Sequence, residues 1–196
     1  MQFIDQKYIK VKVSPEINSS VKSLDSSAAA KSAILNSKTG SVSIDKTDLE
    51  NDNNIIHKIC FKIEIALNEQ EIEIKDSPFN ASRLPSIKLI DYFHRIFKYS
   101  QVEEYTIYLT LIYLDRYFMY SQDELTRLNV FKLSAIALLI AAKFNEDLIL
   151  NNEDFSKVFG IQLYEMNSLE IEFLKTVEFD LTVGKDDFVR YKDILG

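Results

Sequence analysis

Two ionisable side chains stand where the surrounding pattern calls for apolar ones. Lys143 closes a run, Leu133 to Ala142, in which every residue except Ser134 is apolar. Glu170 falls inside a stripe that Met166, Leu169, Phe173, Leu174 and Val177 make at helical spacing, while Glu172 falls on the opposite face. A charge on an apolar face is costly unless it is paired. Lys132 shares a face with Lys143, beside Ile136 and Leu139. An apolar two-helix surface carrying one cation and one anion has the chemistry of a docking site for a partner helix. Apolar contacts would give the affinity, and the charges would set orientation and register. Spacing alone leaves a second reading open and favours it: an intramolecular Lys143–Glu170 pair, or two rim charges of no consequence.

Catalytic chemistry finds less support. The four glycines, Gly40, Gly160, Gly184 and Gly196, are too scattered for a phosphate-cradling loop. His57 and His94 are far apart in the chain and lack a neighbouring ligand pattern, so no metal or cofactor is expected. Spacing supports neither a Ser-His-Asp nor a Cys-His arrangement. Cys60 is the single cysteine, which excludes a disulfide framework and points to the reducing cytoplasm or nucleus. The net charge of -7 argues against binding to nucleic acid, which needs a basic surface. The N-terminus has no signal-peptide pattern and no run is long enough to cross a membrane.

The elements that must position the charged residues follow from periodicity. The chain of 196 residues suits one domain plus a tail. Residues 1–53 are polar and rich in Ser, Asn, Lys and Asp, so a disordered tail is expected. It contains a short alternation at Tyr8 to Val13 and a lone Ser14-Pro15 pair. Residues 54–77 read as a helix, carried by Ile55, Ile59, Ile63 and Leu67, followed by a linker with an alternation at Glu71 to Lys75. Residues 78–196 read as a further all-α unit. Pro85 suits the first turn of a helix reaching Tyr99, with Ile87, Ile90, Phe93, Ile96 and Phe97 as its stripe. Ser100 and Glu103 form a candidate capping box for a helix, apolar almost all round, to about Tyr120. Asn129 is a candidate N-cap for the Ala-rich helix ending at Lys143. Shorter helices are expected from Asn152 to a stop at Gly160, from Leu163 to about Glu178, and from a cap at Asp186 through Leu195.

Four pieces of this pattern, in order, resemble a cyclin box over residues 79–191: FNASRLPSIKLIDYFHRIFKYS, IYLDRYF, LNVFKLSAIALLIAAKFNED and NNEDFSKVFGIQLYEMNSLEIEFLKTVEFDLTV. The closest subgroup is the P/U-type, phosphate-pathway-like cyclins, whose pattern includes a helix ahead of the box, as at Ile55 to Asn68. The resemblance implies five packed helices around a central third, and a cyclin-dependent protein kinase as partner. It also implies that a lysine ending the third helix and a glutamate in the fifth contact the kinase. These fall on Lys143 and Glu170, with Lys132, Ile136, Leu139 and Phe173 around them. The implied role is allosteric, with the chemistry left to the kinase and no small-molecule substrate. Pro85 to Leu89 departs from the MRAIL-type motif of cell-cycle cyclins, which puts substrate docking of that kind in doubt. The second five-helix repeat of larger cyclins is not seen. Asp115, on a mostly apolar helix, needs a cation, and Arg95 is the expected structural partner. A TFIIB-like cyclin-fold transcription factor and a helical scaffold without kinase binding are the alternatives.

Overall fold

Apolar residues at three- and four-residue spacing produce seven α-helices and no strand among the described residues, 55–68, 75–147 and 149–195, of the computed structural model. The helices are α1 (Ile55–Asn68), α2 (Leu89–Ser100), α3 (Glu104–Tyr120), α4 (Val130–Asn145), α5 (Asn152–Phe159), α6 (Leu163–Thr176) and α7 (Lys185–Leu195). The expected all-α architecture of one helix ahead of five, with one after, is therefore present. The expected tail over 1–53, with its alternation and its Ser-Pro pair, and the alternation over 71–74 lie outside the described residues.

Helix α4 is the centre. Every residue from Leu133 to Ala142 is buried, and the helix packs against α2, α3 and α6. Small Ala side chains at 135, 137, 141 and 142 let neighbouring backbones approach on several sides, which a helix apolar all round requires. Helix α3 is its principal neighbour and is itself buried on most sides. Helix α1 lies on α2 and α7 through Ile59, Cys60 and Ile63. Burial pushes the Cys60 thiol well above the usual thiol range, so it remains protonated and packs as a small apolar group.

Several helix ends differ from the sequence expectation, each for a reason of tertiary structure. Helix α2 begins at Leu89, and Pro85 lies ahead of it in non-helical chain. The preceding loop is tied elsewhere. Phe79 is fully buried and meets Tyr117 and Phe173 edge-on, while the Ala81 N–H donates to the Leu128 carbonyl at 2.8 Å. The capping box does not form. Ser100 ends α2 as a buried residue, and the Glu103 side chain makes no cap bond. A carboxylate from beyond α4 does the work: Glu146 accepts from the Glu103 N–H at 2.9 Å and from the Thr106 hydroxyl at 2.5 Å. Asn129 precedes α4, but its side chain ties the incoming loop, accepting from the Thr126 N–H and donating to the Glu124 carbonyl, both at 2.8 Å.

Other ends follow local chemistry. Asn151 caps α5 by accepting from the Asp154 N–H at 2.9 Å, and Gly160 ends that helix at φ +69°, a left-handed conformation that costs glycine little. Helix α6 stops at Thr176, because Glu178 and Phe179 turn left-handed and the Phe179 N–H bonds back to the Leu174 carbonyl. Helix α7 starts at Lys185, placing Asp186 in its first turn, where a negative charge is favoured.

Candidate docking site on helices α4 and α6

The two residues that sequence pattern singles out are brought together. The Lys143 ammonium on α4 lies 2.7 Å from Oε1 and 2.9 Å from Oε2 of Glu170 on α6. Exposure differs between them: the Lys143 side chain is 33% exposed and that of Glu170 12%. The carboxylate therefore sits at the edge of the packed interface, and the ammonium bridges from it to solvent. Asn152, the first residue of α5, donates from Nδ2 to Glu170 Oε2 at 3.3 Å and to Asn167 Oδ1 at 2.8 Å. Three helices thus hold one carboxylate. A carboxylate this enclosed requires such partners.

Lys132 is placed differently. Its ammonium pairs with Glu165 of α6 at 2.6 Å and donates to the Asn80 carbonyl at 3.0 Å, with its side chain only 18% exposed. It fastens the 75–88 loop and the start of α6 to α4, and does not stand as a free cation beside Lys143. Ile136, Leu139 and Phe173 are also corrected. All three are fully buried in the core, so they have no surface for a partner. The expected Arg95–Asp115 pair is absent. The Arg95 guanidinium donates to the Lys157 carbonyl at 3.0 Å, while Asp115, almost wholly buried on α3, accepts a hydrogen bond from the Tyr191 hydroxyl of α7. Burial and the adjacent Asp115 carboxylate push the Tyr191 phenol far above its usual range, so the hydroxyl keeps its proton and donates. The pair secures the C-terminal helix.

Exposed apolar groups on the two helices that carry the pair went unnoticed in the periodicity. Phe144, next to Lys143, is 56% exposed. Ile171, next to Glu170, is 48% exposed, and Tyr164, two turns before Ile171 on the same face of α6, is 84% exposed. Leu163 is also exposed, at the helix start and on the face of Asn167 and Glu170. Exposed large side chains on these helices offer apolar area that the buried ones do not. The available signal was that the apolar character of α4 continues one residue beyond Lys143, to Phe144.

Elsewhere the described residues offer little chemistry. No three His, Cys, Asp or Glu side chains among them gather as a metal site, and no described helix is long and apolar enough to cross a membrane.

Comparison with known proteins agrees with the fold. Residues 11–181 match the family model for cyclins. Cyclin-P3-1 of Oryza sativa subsp. japonica is 35% identical over 130 residues, covering 66% of this chain and 55% of that protein. Cyclin-U4-3 of Arabidopsis thaliana is 40% identical over 119 residues, 60% of this chain and 54% of that protein. The PHO85 cyclin-like protein psl1 of Schizosaccharomyces pombe is 32% identical over 119 residues, 60% of this chain and 49% of that protein. The chain spans about half the length of the curated relatives it matches. With a central apolar helix wrapped by its neighbours, and a family match that takes in α1 through α6, this chain belongs to the cyclin family.

Proposed function

We propose that this chain is a regulatory subunit that binds a cyclin-dependent protein kinase through the surface around Lys143 and Glu170. The observation that carries the reading is membership of the cyclin family; the Lys143–Glu170 pair, which spacing alone reads as internal, involves the two residues on which the family resemblance puts the kinase contact. A lysine ammonium has three N–H donors, and two bonds to Glu170 leave one for a carbonyl or carboxylate of the partner. Preformed pairing keeps the charge oriented before binding and limits what must be ordered on association. The exposed aromatic and aliphatic groups supply the apolar area.

In this reading the kinase C-helix rests on the face formed by the α4 end and α6. Held inward, it makes the kinase's own Lys–Glu ion pair and helps to order its activation loop. The chemistry belongs to the kinase, and this chain works beside it in the cytoplasm or nucleus. Membership of the cyclin family, and a relative named as PHO85 cyclin-like, support a partner of this class. Residues 78–196 would be the kinase-binding unit, with α1 ahead of it packed on α2 and α7.

The test is affinity purification from the source cells with wild type and Lys143→Glu in parallel, the folding of each checked by circular dichroism. A kinase co-purifies with wild type and is depleted from the variant. Recovery of no kinase with either would reject the function, and equal recovery with both would reject the site.

A further inference from the structure

Helix α1 is tied to the body by polar contacts of two kinds, one toward each end. Toward its C-terminus, Arg127, from the loop ahead of α4, donates to Glu64 Oε2 at 2.8 Å and to Asn68 Oδ1 at 2.9 Å. In its first turn His57 meets His94 of α2, with the two Nε2 atoms 3.4 Å apart and the ring planes inclined at 67°. Ile59, Cys60 and Ile63 are buried between them. The two contacts respond differently to protons. A guanidinium stays charged throughout the physiological range. Two imidazoles whose nitrogens face each other can hold one proton between them, as N–H···N or as N⁺–H···N. They cannot hold two, because both N–H groups would then point at one another and two like charges would stand in contact. We propose that His57 and His94 form a proton-sensitive latch, which fastens the start of α1 to α2 and lets it lift when both rings are charged, while Arg127 keeps hold of the helix end.

The surroundings fit such a device. Both rings are half-buried, so water hydrates neither charge fully. Burial and the facing His57 hold His94 below its usual range, while Asp91, exposed and one turn earlier on α2, pulls the other way. That carboxylate steadies a first proton, but one anion does not offset two cations. Lys58, next to His57, and Lys98, one turn beyond His94, bring no negative charge to help. On the packed helices Glu64 already holds Arg127, Glu153 and Asp154 of α5 hold Lys157, and Asp187 of α7 holds Arg190. The cations of α4, Lys132 and Lys143, are paired on α6, and Arg95 donates to the Lys157 carbonyl. As pH falls, the first proton leaves the contact intact and the second opens it. The buried apolar residues and the Arg127 clamp then limit the opening to the start of the helix.

The test uses the full chain, stepped from pH 7.5 to 5.5, with NMR of the histidine ring nitrogens and amide hydrogen exchange corrected for intrinsic rate. The two rings titrate as a coupled pair, each moving in both of two steps. Over the same range, protection at Ile59 to Lys62 falls about tenfold more than at Ile65 to Asn68 or in α4. His57→Gln, which keeps a neutral hydrogen-bonding side chain, abolishes that difference. Rings that titrate independently, each in a single step, would overturn the latch, and this wild-type readout needs no variant to fold. So would a loss of protection shared equally along α1 or with α4, or the same local loss in His57→Gln. None of these outcomes bears on kinase binding, which the proposed function assigns to other helices.

Discussion

Lys143 and Glu170 meet through both carboxylate oxygens, at 2.7 and 2.9 Å, and Glu170 is the more enclosed partner. That asymmetry decides how the pair should respond to mutation. Removing the lysine leaves a mostly buried carboxylate with Asn152 as its remaining side-chain donor among the described residues, whereas removing the glutamate frees an ammonium that can turn to water. Lys143→Met is expected to cost about 1–2 kcal/mol in urea unfolding, and Glu170→Gln about 1 kcal/mol or less. Both should weaken kinase capture. Exchanging the charges, Lys143→Glu with Glu170→Lys, should recover part of the stability without recovering capture, because the partner would meet the reversed polarity.

Phe144 offers a test of docking apart from folding. It is more than half exposed, so Phe144→Ala is expected to change unfolding free energy by less than about 0.5 kcal/mol. Under the proposed function, its loss should nevertheless reduce kinase affinity at least tenfold. Ile136→Ala is the contrast: fully buried, it should cost about 2–5 kcal/mol through lost contacts and the cavity left behind. Surface plasmon resonance with the captured kinase, beside urea denaturation, reads both.

Glu146 tests the long-range cap. It satisfies the Glu103 N–H and the Thr106 hydroxyl at the start of α3. Glu146→Ala is expected to cost about 1–2 kcal/mol and to speed amide exchange in the first turn of α3. Ser100→Ala should be nearly neutral, since its buried hydroxyl has no partner among the described residues. The reverse order would restore the local capping box.

Asp115 and Tyr191 join α3 to α7 across 76 positions of sequence. Tyr191→Phe takes a donor from a buried carboxylate, so a loss of about 1.5–3 kcal/mol is expected. Exchange of the α7 amides should rise well before that of α4. Uniform loss of protection in both helices would instead mean that α7 unfolds only with the whole domain.

Stability should also depend on pH through His94. Burial and the neighbouring His57 hold its folded pKa below 6.5, against a smaller upward pull from Asp91. The unfolded chain then binds the proton more readily. The contribution is present above pH 6.5 and is lost as pH falls through the window just below it. Thermal midpoints measured in steps from pH 7.5 to 5.5 should therefore fall in metal-free buffer. His94→Gln should flatten that decline, and an unchanged decline would place its cause elsewhere.

Helices are legible where their causes are local. Ile59 and Ile63 mark α1, Gly160 stops α5, and the Ala-rich run makes α4, because three- and four-residue spacing is a property of the segment itself. Helix boundaries are less so. Pro85, Ser100 and Asn129 carry the right chemistry for starting or capping helices, but Leu128, Glu146 and Glu124 supply competing partners from elsewhere in the chain.

The same division runs through the sites. The sequence by itself determined an all-α domain and singled out Lys143 and Glu170, since a charge breaking an apolar stripe is visible on a single helix. Tertiary structure alone decided what surrounds them. A stripe apolar on every side does not say which side meets a neighbour, so Ile136, Leu139 and Phe173 went to the core and Phe144 and Ile171 to the surface. Nor does spacing reveal partners made by packing: Lys132 with Glu165, Asp115 with Tyr191, and His57 with His94 each depend on two helices crossing, which no single segment encodes.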